Sequence, residues 1–195
     1  MALDIQPLDR FRDLLARARH LEATEAALMS LATVGADGWP AVREIYLQAV
    51  DDTGLVFFTH DCSRKARQLA ENPRAAACFY WPALGQQVQV EGVTEPVDDA
   101  TADDAWAGRS RESQLAAWAS RQSRPLDSDE ALTARVADYR KRFDFQRQIP
   151  RPAHWCGYRL VPERIEFWSS GWRYLHVRER YERDAHAWVI QRLEP

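Results

Sequence analysis

The first periodic stretch of the chain runs from Leu8 to Leu21, where Leu8, Phe11, Leu14, Leu15 and Ala18 recur at three- and four-residue spacings with Arg and Asp between them. That spacing puts the apolar side chains on one face and predicts an amphipathic helix lying on a core. From Ala27 the period shortens. β-rich runs at Ala27 to Val34, Ala41 to Val50 and Leu55 to Thr59 are separated by Gly35-Ala36-Asp37-Gly38 and Asp51-Asp52-Thr53-Gly54, which are hairpin signals. Ser63 to Glu71 reads as a short helix with Ser63 as its cap and Asn72-Pro73 as its stop. Strands follow at Arg74 to Trp81 and Gln86 to Val97.

Helical patterns then occupy Asp98 to Ala107, Glu112 to Arg121 and Ser128 to Phe145, and Ile149-Pro150-Arg151-Pro152 breaks the run. The tail returns to strands at Trp155 to Leu160, Arg164 to Trp168, Tyr174 to Tyr181 and Trp188 to Leu193, with a loop at Ser169-Ser170-Gly171. Strands at both ends and helices gathered between them predict an α+β fold: one closed antiparallel barrel with peripheral helices, not a βαβ design. No internal repeat or low-complexity linker interrupts residues 1–195, so a single domain is expected.

Composition narrows the function classes. With 8 Trp, 7 Phe and 6 Tyr the chain is not disordered, because so much ring surface is costly to leave in water. A net charge of -3, from intermixed acidic and basic residues, offers no broad field for nucleic acid or anionic lipid, and neither is expected as a partner. The longest apolar run, Ala75 to Trp81, is too short to cross a bilayer, and no charged-then-apolar leader precedes Leu3, so the chain is expected to be cytoplasmic. Cys62, Cys78 and Cys156 form no metal-type pair; idle thiols are expected, without a disulfide or a metal site. Among 26 basic residues only Lys65 and Lys141 are lysines, which draws attention to both.

The richest local arrangement is Phe57-Phe58-Thr59-His60-Asp61-Cys62-Ser63-Arg64-Lys65, a strand feeding a helix start. The first turn of a helix presents unpaired N–H groups, and two cations there oppose the macrodipole unless an anion compensates. A phosphate monoester fits; two solvated basic residues on an ordinary helix are the plain alternative. Arg109-Ser110-Arg111-Glu112-Ser113-Gln114 is a second donor-rich cluster, for which a polar capping loop is the simpler reading. Tyr174, His176 and Arg178 fall on one face of the predicted strand by alternation, suiting a flat electron-rich ligand. Motifs for Rossmann, P-loop, zinc-peptidase and nucleophile-elbow chemistry are absent.

Several of these segments, in order, resemble the pyridoxamine 5′-phosphate oxidase family: the helix at Leu8, Phe57-Phe58-Thr59, Ser63-Arg64-Lys65, Gln86-Gln87-Val88, Trp118-Ala119-Ser120-Arg121-Gln122-Ser123, Ile165-Glu166-Phe167-Trp168 and Arg192-Leu193-Glu194-Pro195. The resemblance implies an FMN-binding split β-barrel working as a homodimer, with FMN at the interface and ligands from both subunits. It carries FMN-binding roles to Arg43, Thr59, Arg64, Lys65, Gln87, Gln122, Ser123, Trp168 and Arg178.

On the substrate side the likeness is partial. The family's Arg-x-x-x-x-Lys strand ends here in Gln48, a phosphate-holding Tyr is replaced by Ala105, and the Arg of an Arg-x-His pair by Tyr174, while Arg109, Ser113 and His176 remain. Ala102-Asp103-Asp104-Ala105-Trp106 and Pro150-Arg151-Pro152 are similar to the phenazine-biosynthesis flavin oxidase branch, which acts on reduced tricyclic acids. The resemblance therefore implies an oxidase passing a hydride from a reduced nitrogen heterocycle to flavin N5, with O2 reoxidising the flavin to give hydrogen peroxide. In that reading Arg109 and Ser113 hold the substrate anion, and His176 orients it or accepts a proton; Tyr174 stacks on it or hydrogen-bonds to it. An authentic pyridoxine/pyridoxamine 5′-phosphate oxidase is the nearest alternative, and a non-catalytic flavin or haem carrier, with His60 or His154 as axial ligand, is a third.

Overall fold

Helix α1 (Pro7–Glu22) begins on a proline, whose missing N–H costs nothing in a first turn, and buries Phe11, Leu14, Leu15 and Ala18 as its spacing requires. In this computed structural model, which describes residues 6–185 and 187–195, α1 packs against the sheet through Phe11, 4.9 Å from the Phe79 ring and 5.9 Å from Trp81. Trp81 is itself anchored, its indole N–H donating to the Ala26 carbonyl at 2.9 Å. The segment before Leu3, where no leader is expected, lies outside the described residues. Among those residues no helix is long and apolar enough to cross a membrane.

Nine antiparallel strands form one sheet: β1 (Leu28–Val34), β2 (Pro40–Tyr46), β3 (Ala49–Val50), β4 (Leu55–His60), β5 (Arg74–Trp81), β6 (Gln86–Pro96), β7 (Trp155–Ser169), β8 (Val177–Asp184) and β9 (Ala187–Leu193). Their order is β2-β1-β5-β6-β7-β4-β3, with β8 joined to β7 and β9 to β8. The strand expected over Ala41 to Val50 is broken. Leu47 N–H still donates to Ala27 O, on the β1 side, but Gln48 N–H donates to Val56 O of β4, each at 2.8 Å. The chain changes partners at this point, so the two ends of the strand order meet and the sheet curls into a split barrel.

Two more expectations are corrected. The strands at Trp155 to Leu160 and Arg164 to Trp168 are one strand, β7, which runs through Pro162 because the β6–β7 register shifts there, opposite Gly92. A Cβ at Gly92 would lie 2.0 Å from the Val161 carbonyl oxygen, so only glycine lets the strands approach. Second, Tyr174, His176 and Arg178 do not share a strand: Tyr174 ends a 3-10 turn at φ 67°, and β8 starts at Val177. The turn is tight because the Leu175 carbonyl folds onto Gly171, where a Cβ would sit 1.7 Å from it.

The core has two parts. Inside the barrel, Leu31, Phe57, Phe79, Val88, Leu160, Ile165 and Phe167 pack beneath α1. Outside β4 and β7, helices α3 (Asp99–Ala107), α4 (Arg111–Ala119) and α5 (Asp129–Arg142) enclose Trp106, Leu115, Phe143, Ile149 and Trp155. Phe58 stacks on Trp155 at 4.5 Å. Helix α4 ends two residues earlier than its pattern predicts, leaving Arg121, Gln122 and Ser123 in a loop that reaches back to β4.

Candidate functional site

Helix α2 (Arg64–Glu71) follows β4 after a three-residue turn, and Ser63 caps it, its hydroxyl accepting from Ala66 N–H at 3.2 Å. The exposed-cation alternative fails for Lys65, which is 7 % exposed. Its ammonium donates to Thr59 Oγ1 at 3.1 Å and to Gln122 Oε1 at 3.4 Å. Thr59 also bonds Gln122 Oε1 at 3.0 Å and the Ser63 hydroxyl at 3.1 Å. Ser123, held at φ 67°, accepts from Arg64 N–H at 3.1 Å. A serine kept in the left-handed region marks a loop fixed by its surroundings.

Arg43 completes this group from β2, donating to Leu31 O at 3.0 Å, Thr33 Oγ1 at 2.7 Å and Gln68 Oε1 at 3.4 Å. Burial lowers the Arg43 pKa and the nearby Arg64 charge lowers it further; burial, then Arg43, lowers that of Lys65. Among the described residues none of the three cations pairs with a carboxylate. Arg64 is exposed, as the plain alternative expects, but Arg43 and Lys65, partly or largely desolvated, repelling each other and held only by neutral acceptors, suit a phosphate, which would relieve both costs. Thr33 and Gln68 are absent from the sequence expectations. Gln68 could have been found there, since it lies one helical turn beyond Lys65 and so on the same face.

The remaining cofactor candidates form a second group. Gln87 on β6 pairs across the sheet with Trp168 on β7, and Trp168 with Arg178 on β8, so the three side chains stand in a row on one face. Arg178 is held by Glu166 at 2.7 Å. The His176 ring lies 4.7 Å from Trp168, and Tyr174, 86 % exposed, lies 6.5 Å from His176. The structure thus brings these residues together despite the misread strand. No hydrogen bond, ion pair or ring contact joins the first group to the second among the described residues.

The substrate candidates divide in the same way. Arg109, between α3 and α4, is clamped by aromatic rings: its guanidinium lies 5.9 Å from Trp106 and 5.5 Å from Trp155. Its hydrogen bond to Ser113 O is long, at 3.4 Å, and burial lowers its pKa. Ser110 caps α4 as the plain reading expects, and Ser113 hydrogen-bonds the Ser110 hydroxyl at 2.8 Å. Gln48 is exposed at the barrel seam. Sequence reasoning missed the Trp106–Trp155 clamp, built from residues nearly fifty positions apart.

A split barrel with an uncompensated cationic cluster at a capped helix start defines a class: a barrel protein with a site for a phosphorylated ligand. Residues 16–143 match the pyridoxamine 5′-phosphate oxidase family, and residues 155–195 match the pyridoxine 5′-phosphate oxidase C-terminal dimerisation region. The chain belongs to the pyridoxamine 5′-phosphate oxidase family, whose members are FMN-dependent oxidoreductases. It is 48% identical to a pyridoxine/pyridoxamine 5′-phosphate oxidase of Alkalilimnicola ehrlichii, covering 100% of both chains. With one of Anaeromyxobacter dehalogenans it shares 49% identity over 97% of this chain and 95% of the relative. Among solved structures, PhzG of Burkholderia lata, crystallised with tetrahydrophenazine-1-carboxylic acid, superposes with a TM-score of 0.92 at 36% identity, covering 97% of this chain and 93% of that one. A related FMN-binding protein of Nostoc punctiforme shares the fold, with a TM-score of 0.78 at 22% identity and 100% coverage of both. The dimerisation-region match supports a homodimer.

Proposed function

We propose that this chain is an oxidase that removes a hydride and a proton from a reduced, anionic nitrogen heterocycle and passes the two electrons to O2, giving hydrogen peroxide. Arg43, Thr59, Arg64, Lys65, Gln122 and Ser123 of one copy, with Gln87, Trp168 and Arg178 of the other, would hold FMN between them. When bound, FMN supplies the hydride acceptor. The observation that carries the reading is the first group itself, a buried ammonium and two guanidiniums with no carboxylate among them.

The chain's own residues bind and orient. Arg109 receives the substrate anion, since its rings hold it without neutralising it. His176 Nδ1 accepts from Gly171 N–H at 3.3 Å, so the neutral ring carries its proton on Nε2 and offers the substrate a donor. Of the two roles considered for His176, orientation is therefore the one favoured. Tyr174 caps the same face.

Arg109 as the main cation favours a ring carboxylate over a phosphate ester, because Gln48 and Ala105 bring no charge. Each missing charge-assisted hydrogen bond to a phosphate is worth about 1.5–3 kcal/mol. A second reading, oxidation of pyridoxine or pyridoxamine 5′-phosphate, is favoured by the relatives at 48% and 49% identity. The haem-carrier reading draws no support: His60 is 6 % exposed, and His154 Nε2 lies 3.1 Å from Ala117 O. Anaerobic mixing decides between the first two. Bleaching of the flavin band by tetrahydrophenazine-1-carboxylic acid and not by pyridoxamine 5′-phosphate is expected; the reverse result establishes the second reading, and no bleaching by either removes both.

A further inference from the structure

Four buried side-chain nitrogens have no protein hydrogen-bond partner among the described residues, and two of them belong to the candidate substrate cation and its surroundings: Nε of Arg109 and Nδ1 of His60. Buried polar atoms nearly always have one, so each orphan needs an account. These two share a neighbourhood. His60 pairs with Trp155 across β4 and β7, the Trp155 ring lies 5.5 Å from the Arg109 guanidinium, and the Arg109 charge acts on His60. The His60 ring also meets that of His154 at 4.8 Å, whose Nε2 lies 3.1 Å from Ala117 O.

Their chemistry is complementary. A guanidinium Nε–H can only donate, and one ring nitrogen of a neutral histidine can only accept. A single water oxygen accepts from the first and donates to the second. We propose that His60 is a positioning residue for Arg109, tied to it through one bridging water, and that it fixes the direction in which the terminal guanidinium nitrogens meet the substrate anion. The inference rests on the substrate role given to Arg109 above.

A neutral imidazole suits this place better than a carboxylate, which would hold Arg109 equally well but cancel the charge the substrate needs. The surroundings keep His60 neutral. Burial does most, His154 and Lys65 add to it, Asp61 opposes it and Arg109 adds a little, leaving the pKa lowered to about 4. Hydrogen-bonding His60 to Arg109 therefore costs the site none of its positive charge.

The test uses the FMN-loaded dimer labelled with 15N-histidine. Between about pH 5.5 and 8, His60 is expected neutral, with its proton on Nε2 and Nδ1 accepting. In Arg109→Met the Nδ1 resonance should move. A proton on Nδ1, or a resonance indifferent to Arg109→Met, overturns the proposal. Kinetics provide a second arm, with whichever of tetrahydrophenazine-1-carboxylic acid and pyridoxamine 5′-phosphate the wild type oxidises. His60→Ala should raise KM about tenfold, with kcat within about twofold and flavin content intact, and His60→Gln should recover most of the loss. In an Arg109→Met background His60→Ala should add nothing, because it acts through the missing group. Additive losses, or a fall in kcat instead of a rise in KM, overturn it. If neither heterocycle is oxidised, the proposed function fails while the spectroscopic arm still decides the role of His60.

Discussion

Lys65 donates to Thr59 Oγ1 at 3.1 Å across the turn that joins β4 to α2, and among the described residues no carboxylate pairs with it. A buried ammonium with only a hydroxyl and an amide for company raises the energy of the protein without its ligand and stabilises the protein that holds an anion. The two states should therefore respond in opposite directions to its removal. In Lys65→Met the flavin affinity should fall about 10- to 150-fold, as loss of one charge-assisted hydrogen bond implies. The flavin-free variant should melt at or above the flavin-free wild type. Flavin absorbance after dialysis and thermal denaturation measure the two effects; unchanged flavin content would remove Lys65 from the cofactor site.

The separation of Lys65 and Trp168 into groups without mutual contact leads to a subunit-mixing experiment. If one copy supplies the cationic group and the other supplies Gln87, Trp168 and Arg178, Lys65→Met and Trp168→Ala homodimers are each defective at both sites. A mixed dimer collects both lesions in one site and leaves the other intact. Unfolding and refolding the two variants together at equal concentration should restore about a quarter of the wild-type flavin-binding sites, counted by flavin titration. No recovery would mean that both groups serve the same site within one chain.

His60 gives a stability signature in acid. Its pKa is lowered by burial, by His154 and by Lys65 to about 4, against an ordinary 6.5 in the unfolded chain. The folded state therefore disfavours the proton. The stability held by neutral His60 is complete above pH 6.5 and is lost progressively as the pH falls through 6.5 toward 4, where the folded ring finally protonates. His60→Gln has nothing to titrate there. Its urea midpoint should change less between about pH 7 and 5 than that of the wild type, and parallel curves would assign the acid sensitivity elsewhere.

How much of this the sequence disclosed depended on whether a feature was local. Helix α1, the Ser63 cap and the strand feeding α2 follow from spacing and side-chain type within a few residues, and they were legible. Arg64 and Lys65 looked unusual because a first turn prefers acids, a signal that needs no tertiary structure. The break at Leu47-Gln48 was not legible, since each residue continues an extended pattern and only the change of partner from β1 to β4 interrupts it. The loop at Ser169 to Gly171 is legible, but its continuation through Tyr174 is not: alternation of Tyr174, His176 and Arg178 imitates a strand, and the positive φ of Arg173 and Tyr174 leaves no mark in residue type. The Trp106–Trp155 clamp on Arg109 is wholly tertiary.

Gln48 and Tyr174, two of the positions at which the resemblance implies a departure from the family on the substrate side, occupy different parts of the fold. Gln48 is at the barrel seam, where β2 gives way to β3, and Tyr174 projects from the turn before β8. Both are exposed in the single chain, so a long cation at either place needs no space in the core of one copy. Gln48→Lys with Tyr174→Arg should therefore fold as the wild type does, the first adding a charge for a substrate phosphate and the second a guanidinium to lie over the substrate ring. The one new charge-assisted contact to the phosphate is worth about 1.5–3 kcal/mol, so kcat/KM for pyridoxamine 5′-phosphate should rise at least about tenfold for the pair. Oxidation of tetrahydrophenazine-1-carboxylic acid should gain little from the same change, because the proposed reading already assigns its single carboxylate to Arg109. Efficient turnover of pyridoxamine 5′-phosphate by the unaltered chain, with no gain in the double variant, would show that Gln48 and Tyr174 are no obstacle to a phosphorylated substrate.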